Sequence, residues 1–128
     1  MNRAIIQTDH APEAIGTYSQ AVKVGDTLYL SGQIPLVPET MELIEGDMET
    51  QIRQTFDRIG LLLEAGGASF ANIVILRSFW VHLLRDLPIF RKVRKDYLVE
   101  PYPASTAVGT PELAIPGLEL EIEAVAII

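Results

Sequence analysis

Apolar and polar positions change period several times along the chain, and the changes mark its elements. Ala21–Val24 and Thr27–Ser31 are strand-like runs joined at Gly25-Asp26, which predicts a β-hairpin. Ile34–Gly46 holds Pro35, Pro38 and Gly46 and reads as a loop. Between Asp47 and Ala65, the residues Met48, Ile52, Phe56, Ile59 and Leu63 recur at three- and four-residue spacing, the period of a helix with one buried face. Asp47 is placed to cap its start and Gly66-Gly67 to stop it. Ile73–Leu84 is long, β-branched and aromatic, and predicts a buried strand. Asp86–Leu98 reads as a second helix, with Pro88 in its first turn and Phe90, Val93, Tyr97 and Leu98 facing inward. Pro101-Tyr102-Pro103 breaks it. Ser105–Gly109 and Leu118–Ile128 complete the strands. In the last one Glu119, Glu121 and Glu123 alternate with Leu118, Leu120 and Ile122, giving one acidic and one apolar face.

The order is β-β-α-β-α-β-β, with room for a short strand near Ala4–Gln7. Two helices and one sheet predict an α+β sandwich with both helices on one face. The other face then needs an explanation. Tyr29, Phe79, Trp80 and the tail Val125–Ile128 are more apolar surface than one small core hides easily, so a homo-oligomer is expected. The alternative is that these residues lie under the helices.

The chain has 128 residues, enough for one domain spanning 1–128. It has no cysteine, which removes thiol nucleophiles, disulfides and cysteine-based metal sites. His10 and His82 are too few for a histidine-rich metal site. Ten bases against 17 acids give a net charge of −7, which disfavours nucleic acid and anionic membranes as partners. The charge is uneven: five acids and no base lie between Glu39 and Glu49, whereas six of the ten bases lie between Arg77 and Lys95. An anion site is therefore expected near the second stretch, although a solvated helix face explains most such residues. No apolar run reaches the ~18 residues of a membrane span, and Met1–Gln7 lacks a signal-peptide core, so a cytoplasmic protein is expected.

Glycine-rich phosphate loops and the G-x-S-x-G elbow are absent. Three groups are left that could carry chemistry. Gly16-Thr17-Tyr18-Ser19-Gln20 is a polar cluster that also fits a strand-entry turn. Ser31-Gly32-Gln33 ends a strand, where glycine lets a ligand approach backbone N–H groups, and an ordinary bulge fits equally. Glu121 sits on the acidic strand face, where a carboxylate in a semi-buried cleft can orient or deprotonate water. A solvated face accounts for at least two of the three glutamates.

These residues also carry a resemblance. Ala11-Pro12-Glu13-Ala14-Ile15-Gly16-Thr17-Tyr18-Ser19-Gln20 resembles A-P-x-A-I-G-P-Y-S-Q, and Ser31–Pro38 resembles S-G-Q-I-P-x-x-P. Gln51, Leu63–Ala68, Tyr102-Pro103-Ala104 and Glu121–Ala126 continue the match in order. The motifs are those of the RidA/YjgF (L-PSP endoribonuclease-like) family, and they cover nearly the whole chain. The resemblance implies a chorismate-mutase-like (ferredoxin-like) fold and a homotrimer with three ligand clefts between subunits. It also implies hydrolysis of imines and enamines of small amino-acid metabolites, with neither metal nor organic cofactor. Position by position, it implies that Tyr18 closes over the ligand and that Ser31 and Gly32 hydrogen-bond it. Glu121 would hold the water, and the backbone at Ala107 would meet the substrate carboxylate.

One departure bears directly on substrate. The family's P-A-R-[ST] is here Pro103-Ala104-Ser105-Thr106, so Ser105 stands where a guanidinium grips the substrate carboxylate. Losing such a charge-assisted contact costs about 1.5–3 kcal/mol, roughly ten- to a hundredfold in affinity. Classical 2-aminoacrylate hydrolysis is therefore expected to be weak, and the chain resembles an arginine-lacking branch. Arg77, Arg91 or Arg94 would have to supply any replacement, against the usual solvation of helix arginines. Thr17 for proline and Arg58 for a common asparagine are smaller departures. The leading reading is a deaminase-like hydrolase. Its competitors are a non-catalytic metabolite-binding trimer and, disfavoured by the charge, an endoribonuclease.

Overall fold

The computed structural model describes residues 2–128. Its elements are β1 (Ala4–Ile6), β2 (Ala21–Val24), β3 (Thr27–Gln33), α1 (Met48–Ala65), β4 (Ile73–Trp80), α2 (Leu83–Arg94), β5 (Ala104–Gly109) and β6 (Leu120–Ile127), with a single 3-10 turn at Phe70–Asn72. The six strands form one sheet in the order β1-β2-β3-β6-β4-β5. Every neighbouring pair is antiparallel except β4 with β5. Parallel neighbours need a crossover, and α2 provides it.

Both helices lie on one face of the sheet, as the pattern predicts. Alternate residues of β6 (Leu120, Ile122, Ala124, Ala126) and of β4 (Leu76, Ser78, Trp80) are buried against Ile52, Phe56, Ile59, Leu62 and Leu63 of α1 and Phe90 and Val93 of α2. Aromatic rings join the two helices. Phe56 stacks on Phe90 at 6.1 Å and on Tyr97 at 4.8 Å, and Trp80 tilts against Phe90 at 5.0 Å. Asp47 caps α1 by accepting from the Thr50 N–H at 2.9 Å. Gly67, at φ 83°, takes the left-handed conformation that ends it.

Several boundaries differ from the pattern reading. β4 ends at Trp80, not Leu84, and α2 runs over 83–94, not 86–98. An apolar run cannot show where a strand turns into a helix, and Val81-His82 makes that corner. Pro88 consequently lies in the second turn of α2, where it has no N–H for the carbonyl of Leu84. Tyr97 and Leu98 follow the helix and still pack against the core. β6 begins at Leu120, so Glu119 precedes the strand.

The residues expected to overfill the core divide between the two faces. Trp80 and Ala126 lie under the helices. Tyr29 and Val125, paired across β3 and β6, face away from them, together with Phe79, Val108 and Ile127. No helix among the described residues is long and apolar enough to cross a membrane.

Candidate functional site

The segment before β2 is extended and makes few backbone bonds of its own, so a side chain secures it. Gln20 is buried, and its amide donates to the carbonyls of Pro12 at 2.8 Å and Thr8 at 3.1 Å. Its oxygen accepts from the Thr8 N–H at 2.7 Å. The segment carrying Tyr18 is thereby tied to the edge of the sheet. Gly16, at φ 137°, lies against the Tyr18 ring, and Tyr18 itself is half exposed.

At the far end of β3 the register slips. Leu30 pairs with Ala124 and Gln33 with Ile122, so β3 advances three residues while β6 advances two. This is a bulge at Ser31-Gly32, a device that re-aims side chains at a strand end. Ser31 is held by both its groups. Its N–H donates to the Gln20 carbonyl at 2.9 Å and its hydroxyl to the Ser19 carbonyl. Gly32 packs directly beneath Glu121, so closely that a Cβ there would overlap the carboxylate. The bulge and the close approach to a functional group are thus one feature.

Glu121 differs from its neighbours in its partners. Glu119 accepts from Arg85 at 2.9 Å, and Glu123 from Arg77 at 3.3 Å. Among the described residues Glu121 has no cation partner and accepts no hydrogen bond. Burial pushes its carboxyl above the usual glutamate range, and the charge of Glu123 adds to the effect. Tyr18, Ser31, Gly32 and Glu121 line one cavity of about 450 Å³, whose other walls are mostly apolar. Gln33 lines it too. Its side-chain oxygen is buried without a partner, and the sequence placed it in the Ser31-Gly32-Gln33 group without giving it a role of its own. Gln20 belonged to the Gly16–Gln20 cluster, but its role as the anchor of the segment was not read from sequence. The signal for both is polarity at positions the fold buries. Among the described residues no three His, Asp or Glu side chains gather as a metal site.

Ser105 and Ala107 do not join this group within one protomer. Ser105 pairs with Leu76, which is fully buried under the helices, so both point to the helical face. Glu121 alternates with the buried Leu120 and Ile122 and points the opposite way. β5 is also two strands from β6 and three from β3, roughly 10 and 14 Å at the usual spacing. Ser105 instead lines a separate cavity of about 360 Å³ beside α2. Ala107 is half-buried and touches the core.

The fold is thus a two-helix α+β sandwich in which a half-buried carboxylate sits over a glycine bulge and lines a cavity of about 450 Å³. The chain belongs to the RidA/YjgF family: residues 8–128 match the family model described as Endoribonuclease L-PSP. It is 37% identical over 126 residues to a 2-iminobutanoate/2-iminopropanoate deaminase of Dermatophagoides farinae, covering 98% of this chain and 97% of that protein. It is 40% identical over 124 residues to a RutC family protein of Pyrococcus horikoshii, covering 97% of each. Among solved structures, RidA from an Antarctic Psychrobacter superposes with a TM-score of 0.90 at 45% identity, covering 98% of this chain and 99% of that one. E. coli TdcF with bound serine superposes with a TM-score of 0.88 at 32% identity, covering 98% of each chain.

Proposed function

We propose that this protein hydrolyses small imines or enamines to a carbonyl compound and ammonia, in clefts completed by a second copy of the chain within a homotrimer. The observation that carries the reading is Glu121, a half-buried, unpaired carboxylate seated on Gly32 at the floor of a cavity. An imine carbon is already electrophilic, so the protein needs only to place a water and move protons. Glu121 takes a proton from that water as its oxygen bonds to the imine carbon. The same proton then passes to the nitrogen, giving a carbinolamine. Glu121 next takes the proton of its hydroxyl as the C=O bond forms and returns it to the departing nitrogen, which leaves as ammonia. Tyr18 covers the ligand, while Ser31 and the Gly32 backbone orient it. A carboxyl raised toward the working pH suits a group that both accepts and returns a proton.

The deaminase names of relatives at 37% identity support this reaction class. The division of Tyr18, Ser31, Gly32 and Glu121 from Ser105 and Ala107 supports the shared cleft, because opposite sheet faces meet only across two copies. The apolar outward face of Tyr29, Phe79, Val108 and Val125 is the surface such an assembly would cover.

Ammonia release from freshly generated imines, with and without a carboxylate, tests the reading. Glu121→Gln is expected to lower the rate by about a hundredfold or more. An unchanged rate would overturn the role of Glu121. The absence of ammonia from every imine would favour a second reading, a metabolite-binding trimer, which Ser105 supports because it supplies no charge.

A further inference from the structure

Six bases lie between Arg77 and Lys95, and the structure sorts them into two kinds. Arg77 is bound to Glu123 on the outward face of the sheet, so it is unavailable at Ser105. Arg85 is bound to Asp86 and Glu119, and Lys92 to Glu49. Arg91, Arg94 and Lys95 have no carboxylate partner among the described residues. These three line the same cavity of about 360 Å³ as Ser105, and no acid lines it.

The arrangement has a cost. Residues 91, 94 and 95 stand three and four apart along one helix face, where like charges repel. The C-terminal end of α2 offsets part of that repulsion through its dipole. The dipole would act equally on bases pointing to open solvent, so it does not explain their convergence on the strand wall at Ser105. In a chain with 17 acids and ten bases, three neighbouring bases without an acid partner form the natural seat of an anion. Arg94 is already positioned, its guanidinium lying 5.1 Å from the centre of the Phe90 ring. Arg91 is exposed, one turn away on the same helix face, and lines the same cavity.

We propose that Arg91 and Arg94 of α2 form an anion subsite at Ser105, and that its preferred ligand is a small 2-imino or 2-oxo acid carrying two carboxylates. Serine in place of a longer side chain on β5 leaves the cavity open to such a ligand. One carboxylate engages the two guanidinium groups, and the second balances the remaining charge of Lys95. The place of this subsite in the reaction rests on the shared cleft proposed above, but its anion binding is measurable without turnover.

The test is calorimetric titration of 2-oxoglutarate and of pyruvate into the wild-type protein, Arg91→Gln, Arg94→Gln and Lys92→Gln, with thermal melts as a control for folding. Arg91 is exposed and makes no side-chain hydrogen bond or ion pair among the described residues, so Arg91→Gln keeps the test decisive if Arg94→Gln, which loses its seat on Phe90, is unstable. The wild-type protein is expected to bind 2-oxoglutarate about tenfold or more tightly than pyruvate. Arg91→Gln is expected to lose about ten- to a hundredfold of that affinity, while Lys92→Gln, paired with Glu49 outside the cavity, loses none. Equal binding of the two acids, or an unchanged affinity in Arg91→Gln, would overturn the subsite. Ammonia assays on the same proteins separate the two proposals. Arginine-dependent binding without ammonia from any imine would leave the subsite standing and remove the hydrolase reading. Hydrolysis of a carboxylate-free imine, with no 2-oxo acid bound, would do the reverse.

Discussion

Three glutamates alternate near the C-terminus, and their chemistry diverges because their partners do. Glu119 and Glu123 are tied to arginines, whereas Glu121 is half-buried with none, so burial and the charge of Glu123 raise its carboxyl above the ordinary range. A carboxyl whose folded pKa lies above its unfolded value favours folding while protonated, and that contribution is lost as pH rises through the folded pKa. Ionised Glu121 therefore weakens the fold at neutral pH. Glu121→Gln is expected to raise Tm at pH 7, with the advantage vanishing below about pH 4, where the wild-type acid is also protonated. Thermal melts at the two pH values check this, and a lower Tm at pH 7 would contradict it. Gly32→Ala is expected to lower activity as well. Its methyl group displaces the carboxylate, so turnover falls by about tenfold or more. Tm falls as well, because the new methyl group overlaps Cγ and Cδ of Glu121 and not only its terminal oxygen. Alternation alone showed a glutamate face without distinguishing its members. The resemblance pointed to Glu121, Tyr18, Ser31 and Gly32, and the cavity holds these four together. Gln20 and Gln33 fell inside the two candidate clusters, but their separate roles were illegible because nothing in a glutamine says that the fold will bury it.

At the scale of elements, legibility followed periodicity and failed at corners. α1 was readable within a residue because an apolar stripe, a capping aspartate and a glycine stop agree. The β2–β3 turn at Gly25-Asp26 was readable because Gly25 supplies the positive φ, 59°, that the turn requires. The β4–α2 boundary was not readable, since Val81–Leu84 suits either period, and Pro88 pulled the reading of the helix start toward itself. The same helix carries Phe90, one member of the aromatic cluster that joins the layers. Phe56→Ala removes the ring stacked between Phe90 and Tyr97 at a fully buried position. Its expected cost is about 3–5 kcal/mol, read from urea unfolding. A loss below about 1 kcal/mol would mean that the helices are held to the sheet by something other than this cluster.

For the whole molecule, the two faces of the sheet divide the labour: one holds the core, and the other presents Tyr29, Phe79, Val108 and Val125 alongside Glu121 and Glu123. The sequence pattern showed a surplus of apolar residues but could not say which belonged to which face, and Trp80 proved to be core. Nor could it show that Ser105 and Glu121 leave the sheet in opposite directions, since that depends on strand order and register. A cleft built from both must draw on two copies. The most direct test is complementation between two inactive variants. Glu121→Gln removes the proton acceptor, and Ser105→Trp blocks the opposing wall from an exposed position. Each alone is expected to be inactive while sedimenting as a trimer of 14.1 kDa chains. In a co-refolded equal mixture, a cleft that takes Glu121 from one copy and Ser105 from its neighbour is intact about one time in four. Recovery of roughly a quarter of the wild-type rate of ammonia release is the predicted result. A mixture as inactive as its components, with mixed trimers confirmed, would place the whole site within one chain and contradict the account.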